Sequence, residues 1–585
     1  MSETDLKPII RDELLSKLEE DTVWDVVVIG GGATGMGIAV DAASRGLKTV
    51  LLEAQDFSQG TSSRSTKLIH GGVRYMKNPR DWGLVREALK ERRILIKNAP
   101  HLVHSKPFIL PCYKKYEREF YTVGLGIYSA MTYGGYGIGK TSSLSREDTL
   151  ARLPGVKEEG LMGGVQFYDG QFDDARLCVA LMRTAFDHGA VCLNYMPVTE
   201  IDRQGGMIQS VTATDKETGK AYKVRCRMVF NAAGAWVDPV RRLVDPESAT
   251  LVRVSRGSHI ILDKSFMPGS TGMLIPKTRD GRVLFAIPWH GMLLVGTTDV
   301  EQKEADFNPE VSEEEIDFMI ETASGYLAKP ITRADVKASF AGLRPLYNPQ
   351  ATGSAGSTAK VSREHSVIPE FGNMITVTGG KWTAYRKMAE HAMLVATMRN
   401  LIPPRLCCTK DLPIYKDPLF DPAALEIAAE AGPEADDEVV RYAIHVRDTE
   451  LARNAEDVLF RRLRLGQMNT ERTNALMGKV QAALEGREYV EPVCPECGKS
   501  PCECKAEEAC KAADKPAEEP ADKPAEKADV KACCAAKPEE KAPAKAEPKA
   551  DEKKCSAKKD DKAEKPEVVE CEVEPMPAKD GSKKH

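Results

Sequence analysis

The chain has 585 residues, enough for several domains, and its 82 Lys and Arg nearly balance 87 Asp and Glu for a formal net charge of −5. That balance gives no reason to expect nucleic acid as a partner, because a nucleic-acid binder concentrates positive charge. The average hides a sharp shift: 491–585 contains no Phe, Trp, Tyr, Leu or Ile and consists mostly of Lys, Glu, Asp, Ala and Pro. Such a segment cannot bury enough apolar surface to offset its ordering entropy, so it is expected to be disordered, and the folded part to end near residue 490.

At the N-terminus, residues 1–25 carry acids throughout and lack a hydrophobic core, which argues against a secretory signal and against an Arg-rich presequence; a short amphipathic helix over 9–18 is expected instead. The run Val26–Ile29 is β-branched and reads as a buried strand. Gly30, Gly32 and Gly35 follow, with a helix expected over 36–44, then a second apolar strand, Thr49–Leu52, and Glu53 at its end. Strand, glycine loop, helix, strand and acid in that order are the signature of a dinucleotide site. Glycines let the backbone approach a pyrophosphate, the helix N-terminus faces it, and the acid accepts from a ribose hydroxyl. The acid speaks for FAD or NAD and against NADP, whose 2′-phosphate would want an arginine there. The next stretch, 60–75, is dense in hydroxyls, glycines and cations, including Thr61, Ser62, Ser63, Lys67 and His70, and suits a longer ligand than a surface turn would.

Further along, 120–139 is uncharged but broken by six glycines, which makes it a poor membrane-spanning helix. It is expected to belong to a second domain, with an interfacial aromatic surface as the other reading. Strand-like runs at 228–231 and 374–378 fit the nucleotide sheet, whereas 259–262, 283–287 and 292–295 fit a separate antiparallel sheet. From 422 to 484 the apolar period turns helical. The basic cluster Arg461, Arg462 and Arg464 in that stretch is expected on a solvated helix face, or as an anchor near an anionic membrane. Beyond it, Cys494, Cys497, Cys502 and Cys504 place four thiols within eleven residues, as CxxC, four residues, then CxC. Four thiolates can enclose a tetrahedral zinc, although the single-residue spacing of the second pair is unusual. A zinc knuckle, adventitious metal binding and a separate interaction module all stay open.

Two blocks are more specific. Residues 29–46, around Gly30, Gly32 and Gly35, resemble the first signature of FAD-dependent glycerol-3-phosphate dehydrogenases, and 379–389, around Gly380 and Lys381, resemble the family's second flavin segment, with Ala384 where a small hydroxyl residue or glycine is usual. Family-like blocks between them include 67–75, 173–177, 231–237, 257–259, 287–289, 296–299 and 342–346, so the resemblance runs over about 23–480.

The resemblance implies an α/β fold, with an FAD-binding Rossmann-like domain (23–75, 160–245 and 341–395) interleaved with an antiparallel-sheet substrate domain (76–159 and 246–340). An N-terminal extension (1–22), a C-terminal helical domain (396–490) and the tail (491–585) complete it. It implies oxidation of sn-glycerol 3-phosphate to dihydroxyacetone phosphate, with hydride leaving C2 for the flavin and electrons passing to a respiratory quinone. An oxygen-reducing oxidase is the alternative. A phosphate ester needs several cations in fixed positions; the resemblance assigns Arg344, Arg363 and Lys381, with Arg74 and Tyr75 closing the pocket. His259 is the implied base, with Arg344 as an electrostatic helper. A lone histidine beside a strand otherwise packs as a core residue. Gly30, Gly32, Gly35, Glu53, Thr61, Ser62, Ser63, Lys67, His70 and Gly380 are the cofactor-binding candidates. The expected setting is cytoplasmic, peripheral on the cytoplasmic face of a bacterial inner membrane, in a homo-oligomer.

Overall fold

Alternating short apolar strands and helices build the first layer. In the computed structural model, which describes residues 7–131, 137–279, 281–348, 365–421 and 435–490, a six-stranded sheet runs in the order His365–Glu370, Met374–Gly379, Val229–Asn231, Val26–Ile29, Thr49–Leu52 and Val191–Leu193. All its neighbours are parallel except the first pair. Val26, Val27 and Val28 are fully buried, as a central parallel strand covered on both faces requires. The described residues lie in one compact unit, Met1–Pro492; a second unit, Val493–His585, lies outside them. The expected disordered tail and its cysteines Cys494, Cys497, Cys502 and Cys504 therefore fall outside the described residues, as does Arg363.

The helix Ala33–Ser44 follows the glycine loop and is buried along most of its length. It packs closely against the helix Tyr385–Met398 because Gly37 lacks a Cβ, which would lie 2.9 Å from the Tyr385 ring. The second flavin-like segment is thereby brought against the first. The N-terminal extension is part of this body: in α1 (Arg11–Glu19), Leu14, Leu15 and Leu18 are buried, and the buried Arg11 guanidinium donates to Asp215 at 2.7 Å.

The second layer is a ten-stranded sheet in which neighbours are antiparallel apart from one parallel pairing, Gly272–Ile275 on Val103–Cys112. Three of its strands correct the expected boundaries, one of them the short Leu68–Ile69, which is expected in the nucleotide domain but pairs with Gly163–Phe172. Gly163–Phe172, assigned to the nucleotide domain, pairs along its whole length with Val103–Cys112. Val336–Tyr347 pairs with Val252–Asp263 well past residue 341. Both are long strands whose partners are distant in sequence, so composition alone could not place them.

The C-terminal helices, Asp436–Glu450 and Thr470–Leu484, do not form a core of their own. Val439, Val446, Leu459 and Leu476 share one hydrophobic cluster with Phe108, Phe167, Ile261 and Phe340 of the ten-stranded sheet. Between the helices, Asp457–Arg462 winds as a π-helix, with Leu463 N–H donating to Val458 O at 2.7 Å. That widened turn sends Arg461 and Arg462 inward. Together with Arg464 they are 0–5% exposed and ion-paired to Asp56, Asp457 and Asp174. The expected solvated face or membrane anchor is therefore a buried charge network.

Candidate active site

Gly30 adopts φ +110°, and a Cβ there would lie 2.7 Å from Ala232 O; a Cβ on Gly35 would fall 1.9 Å from Gly30 O. Only glycine permits this turn. It leaves Gly32, which has no side chain to cap with, as the N-cap of the helix Ala33–Ser44, and the first turn carries no acid. Ser62 Oγ accepts from Ala33 N at 2.9 Å and ties the following loop to the same helix start. Glu53 accepts from Gly31 N at 2.5 Å and from Gln55 N at 2.8 Å. Burial pushes its carboxyl up, while the two backbone donors work the other way.

Beside this loop opens a cavity of about 670 Å³ lined by Thr61, His70, Gly72, Tyr75, His259, Arg344, Gly380 and Lys381 among others. Arg344 and Lys381, two of the four cationic side chains that line it, are individually seated. Arg344 donates from Nη2 to Thr297 Oγ1 at 2.9 Å, and its Nη1 stands 3.8 Å from Asp299 Oδ1. Its guanidinium lies over Gly257, where a Cβ would come within 2.3 Å of Nη2. Gly257→Ala is therefore expected to displace Arg344 and cut kcat/KM by about tenfold or more at unchanged FAD content, since misplacing a positioning group costs rate steeply. Lys381 Nζ sits 4.1 Å from the centre of the Tyr75 ring, a cation–π contact. The turn beneath them needs Gly72 at φ +90°, where a Cβ would strike the Tyr75 ring at 2.6 Å and Lys381 Nζ at 3.0 Å.

His259 stacks on Phe340 with ring centroids 4.8 Å apart, and its Nε2 is 2.9 Å from Thr66 Oγ1. Its Nδ1 is buried with no hydrogen-bond partner among the described residues. Burial first, then Lys67 and Arg344, push its pKa well below the ordinary histidine value, so the ring is neutral at pH 7. Arg64, also on the cavity wall, is pushed down to about 10 by burial, with Arg461 nearby.

Not every expected ligand residue faces this space. Lys67 is fully buried, and its Nζ donates to Asp174 at 2.9 Å, to Ser63 O at 2.7 Å and to Gln467 at 2.9 Å. Ser63 is likewise buried, its carbonyl receiving Lys67, Arg464 and Gln467. Lys67 holds the loop from below through its ammonium, which corrects its assignment as a cofactor contact, whereas Ser63 is engaged there only through its carbonyl. Arg74 falls in the 3-10 turn Val73–Lys77, and its side chain lies outside what is described. Conversely, Thr66, Arg64, Thr297 and Asp299 receive no role from the sequence, although all four stand inside motif-like blocks that could have flagged them.

The FAD dependent oxidoreductase family model matches residues 25–386. A Dictyostelium discoideum protein described as a probable mitochondrial glycerol-3-phosphate dehydrogenase is 39% identical over 447 residues, which cover 70% of this chain and 69% of that one. This chain belongs to the FAD-dependent oxidoreductases, on their glycerol-3-phosphate dehydrogenase branch. The human mitochondrial glycerol-3-phosphate dehydrogenase is 40% identical over 404 residues, 67% of this chain, so the match spans about half (55%) of that longer relative. Among solved structures, a Bacillus halodurans glycerol-3-phosphate dehydrogenase complexed with FAD superimposes with a TM-score of 0.62 at 26% identity, covering 83% of this chain and 99% of that one.

The residues present fit the family's cofactor. The Gly30–Gly35 turn closes so tightly on Ala232 and on itself that only glycine fits, the first-turn N–H groups of the helix suit a pyrophosphate, and Glu53 suits a 2′-hydroxyl. The cavity beside Gly380 and Lys381 accommodates a flat ring system and a small substrate together.

Proposed function

We propose that this chain oxidises sn-glycerol 3-phosphate to dihydroxyacetone phosphate and passes the electrons to a lipid-soluble quinone at a membrane surface. The observation that carries the reading is the convergence of Arg344, Lys381 and a neutral His259 on one cavity beside the dinucleotide loop. When bound, FAD supplies the hydride acceptor for C2. Arg344 offers a planar fork of donors for phosphate oxygens or for the developing alkoxide, and Lys381 adds a point charge held in place by Tyr75. His259 Nε2 accepts the hydroxyl proton, directly or through Thr66 Oγ1, and the anionic substrate offsets the cations that otherwise disfavour imidazolium. Because the base works in its neutral form and its pKa lies well below 6.5, kcat/KM should be flat across pH 7–8 and fall only well below pH 6.5. A pH–rate profile with an inflection at or above 7 would contradict that assignment.

The membrane reading is supported by α4, which with α2 (Ala33–Ser44) and α3 (Trp82–Asn98) completes the helices before residue 131 and spans Glu117–Ala130. Phe120 and Val123 on its outer face are 72% and 65% exposed, and Phe120 also lines the cavity mouth. Among the described residues no helix is long and apolar enough to cross a membrane. Such an exposed apolar face suits a peripheral contact through which a quinone could enter.

The test is anaerobic mixing of purified protein with sn-glycerol 3-phosphate while following flavin bleaching, then reoxidation by a short-chain quinone and, separately, by oxygen. Reoxidation by oxygen alone would turn the reading into that of an oxidase. Free glycerol is expected to leave the flavin oxidised, since buried cations without their anion are costly. For the tail, we propose a module separate from catalysis, with zinc on Cys494, Cys497, Cys502 and Cys504 as one form of it. A chain ending at Val490 is expected to keep FAD stoichiometry, thermal midpoint and dye-linked activity with or without a chelator, and loss of FAD on truncation would overturn that separation.

A further inference from the structure

Beneath the Gly71–Gly72 turn lies a buried polar relay to which the site as described gives no part. Gly71 N–H donates to Tyr128 Oη at 2.8 Å, Tyr128 O–H donates to Asp169 Oδ2 at 2.8 Å, and Arg92 Nη1 donates to Asp169 Oδ1 at 2.6 Å. Tyr128, Asp169 and Arg92 are 1%, 3% and 2% exposed. They come from three elements: Arg92 from α3, Tyr128 from α4 and Asp169 from the strand Gly163–Phe172. Gly71 must be glycine for the contact to form, because a Cβ there would lie 2.7 Å from Tyr128 Oη and 2.7 Å from Leu89. The Tyr128 ring packs with Val85 and Leu89 against Val73, Tyr75 and Met76. Hydroxyl and ring thus grip both ends of the turn.

We propose that Tyr128, Asp169 and Arg92 are positioning residues that set the height of the Gly71–Gly72 turn and, through it, the Tyr75 ring and the Lys381 ammonium seated on that ring. A buried phenol has few ways to stay satisfied, and here its one donor and one acceptor direction are both used. Arg92 holds the Asp169 carboxylate in place by an ion pair inside the protein, so the carboxylate in turn fixes the direction of the Tyr128 hydroxyl. Tyr128 and Arg92 do not line the cavity, and Asp169, which does, has its two carboxylate oxygens taken up by Arg92 and Tyr128. Their effect reaches the substrate through Gly72, whose backbone lies against both Tyr75 and Lys381. The inference concerns the phosphate-holding half of the site and rests on the reading of Lys381 given above.

The experiment uses the FAD-loaded full chain. Tyr128→Phe keeps the ring and its packing but removes the hydroxyl. Two readouts follow it. Amide hydrogen exchange over 68–76 is expected to speed up with the rest of the protein unchanged, since the Gly71 N–H loses its acceptor. The KM for sn-glycerol 3-phosphate is expected to rise about tenfold, the size of one lost hydrogen bond, while flavin reduction at saturating substrate stays within about twofold. In a Lys381→Ala background the same substitution should change KM by less than about twofold, because residues acting through one another are not additive. Asp169→Asn supplies a second route to the same readouts if Tyr128→Phe fails to fold. Unchanged exchange over 68–76 would overturn the proposal, as would an effect that adds fully to that of Lys381→Ala. If Lys381→Ala alone left KM untouched, the phosphate reading would fail, and the exchange readout would still decide whether Tyr128 holds the turn.

Discussion

Arg344→Ala is expected to lower kcat/KM for sn-glycerol 3-phosphate by about 100- to 1,000-fold, the range for removing a preorganised donor to developing charge, while FAD content stays intact. FAD retention follows from geometry. Arg344 is seated by the bare backbone of Gly257 on a strand of the ten-stranded sheet and by Thr297 and Asp299 between two of its strands, whereas Gly30, Gly35 and Glu53, proposed for the nucleotide, follow strands of the six-stranded sheet. Arg344→Lys should recover little, since a single ammonium cannot reproduce a fork that bonds Thr297 and still faces the cavity. Stopped-flow flavin reduction separates the two uses of the side chain. If Arg344 grips the phosphate equally in ground and transition state, its removal raises KM; if it stabilises the developing alkoxide, its removal slows reduction at saturating substrate. A variant within threefold of the parent on both would remove Arg344 from the site.

The nucleotide half is legible in the sequence because its determinants are local. A β-branched strand, a glycine turn and an acid after the next strand are each set by backbone sterics within about 30 residues, and Val26–Ile29 and Thr49–Leu52 fall where the pattern puts them. The substrate half is legible only as blocks. Thr66 meets His259 across 193 positions, and Thr297 meets Arg344 across 47, so their roles exist only once the ten-stranded sheet has formed. Lys67 shows the opposite error. Its place in a polar glycine-rich loop suggests a ligand contact, yet burial beside Arg464 pushes its ammonium down to about 7, and Asp174 holds it beneath the loop. Arg461, Arg462 and Arg464 mislead for the same reason, since a basic run looks solvated until the carboxylates that neutralise it are found far away along the chain.

That network supports the second large effect. Arg462 is fully buried, donating to Asp56 through both terminal nitrogens and to Glu450 O at 2.9 Å, while Arg461 reaches the same Asp56 and also Asp457. Two arginines thus face Asp56 and Asp457, with the Glu450 carboxylate 3.7 Å from Arg462 Nε, and Asn194 Nδ2 adds a further donor to Asp56 at 3.0 Å. Burial drives Asp56 up, but Arg462 and Arg461 outweigh it and hold the carboxyl below its ordinary value. A carboxylate with a depressed folded pKa contributes stability that is present above its unfolded value, near 4, and is lost as pH falls through the folded one. Arg462→Met removes one positive charge and leaves a net negative cluster with no water to solvate it. The expected loss is about 3–5 kcal/mol at pH 7, measured by urea unfolding of the FAD-loaded protein. The sign of the pH dependence should also reverse. With the pair broken, Asp56 is pushed above its unfolded pKa, so the deficit should shrink as pH falls from 7 toward 5. Asp56→Asn in the Arg462→Met background should recover part of the loss for the same reason. Asp56 stands three residues after Glu53, so the variant should also release FAD more readily if, as proposed, Glu53 holds the ribose. A cost below about 1 kcal/mol, the level of an exposed ion pair, would mean that water reaches the cluster and that it does not join the two halves of the chain.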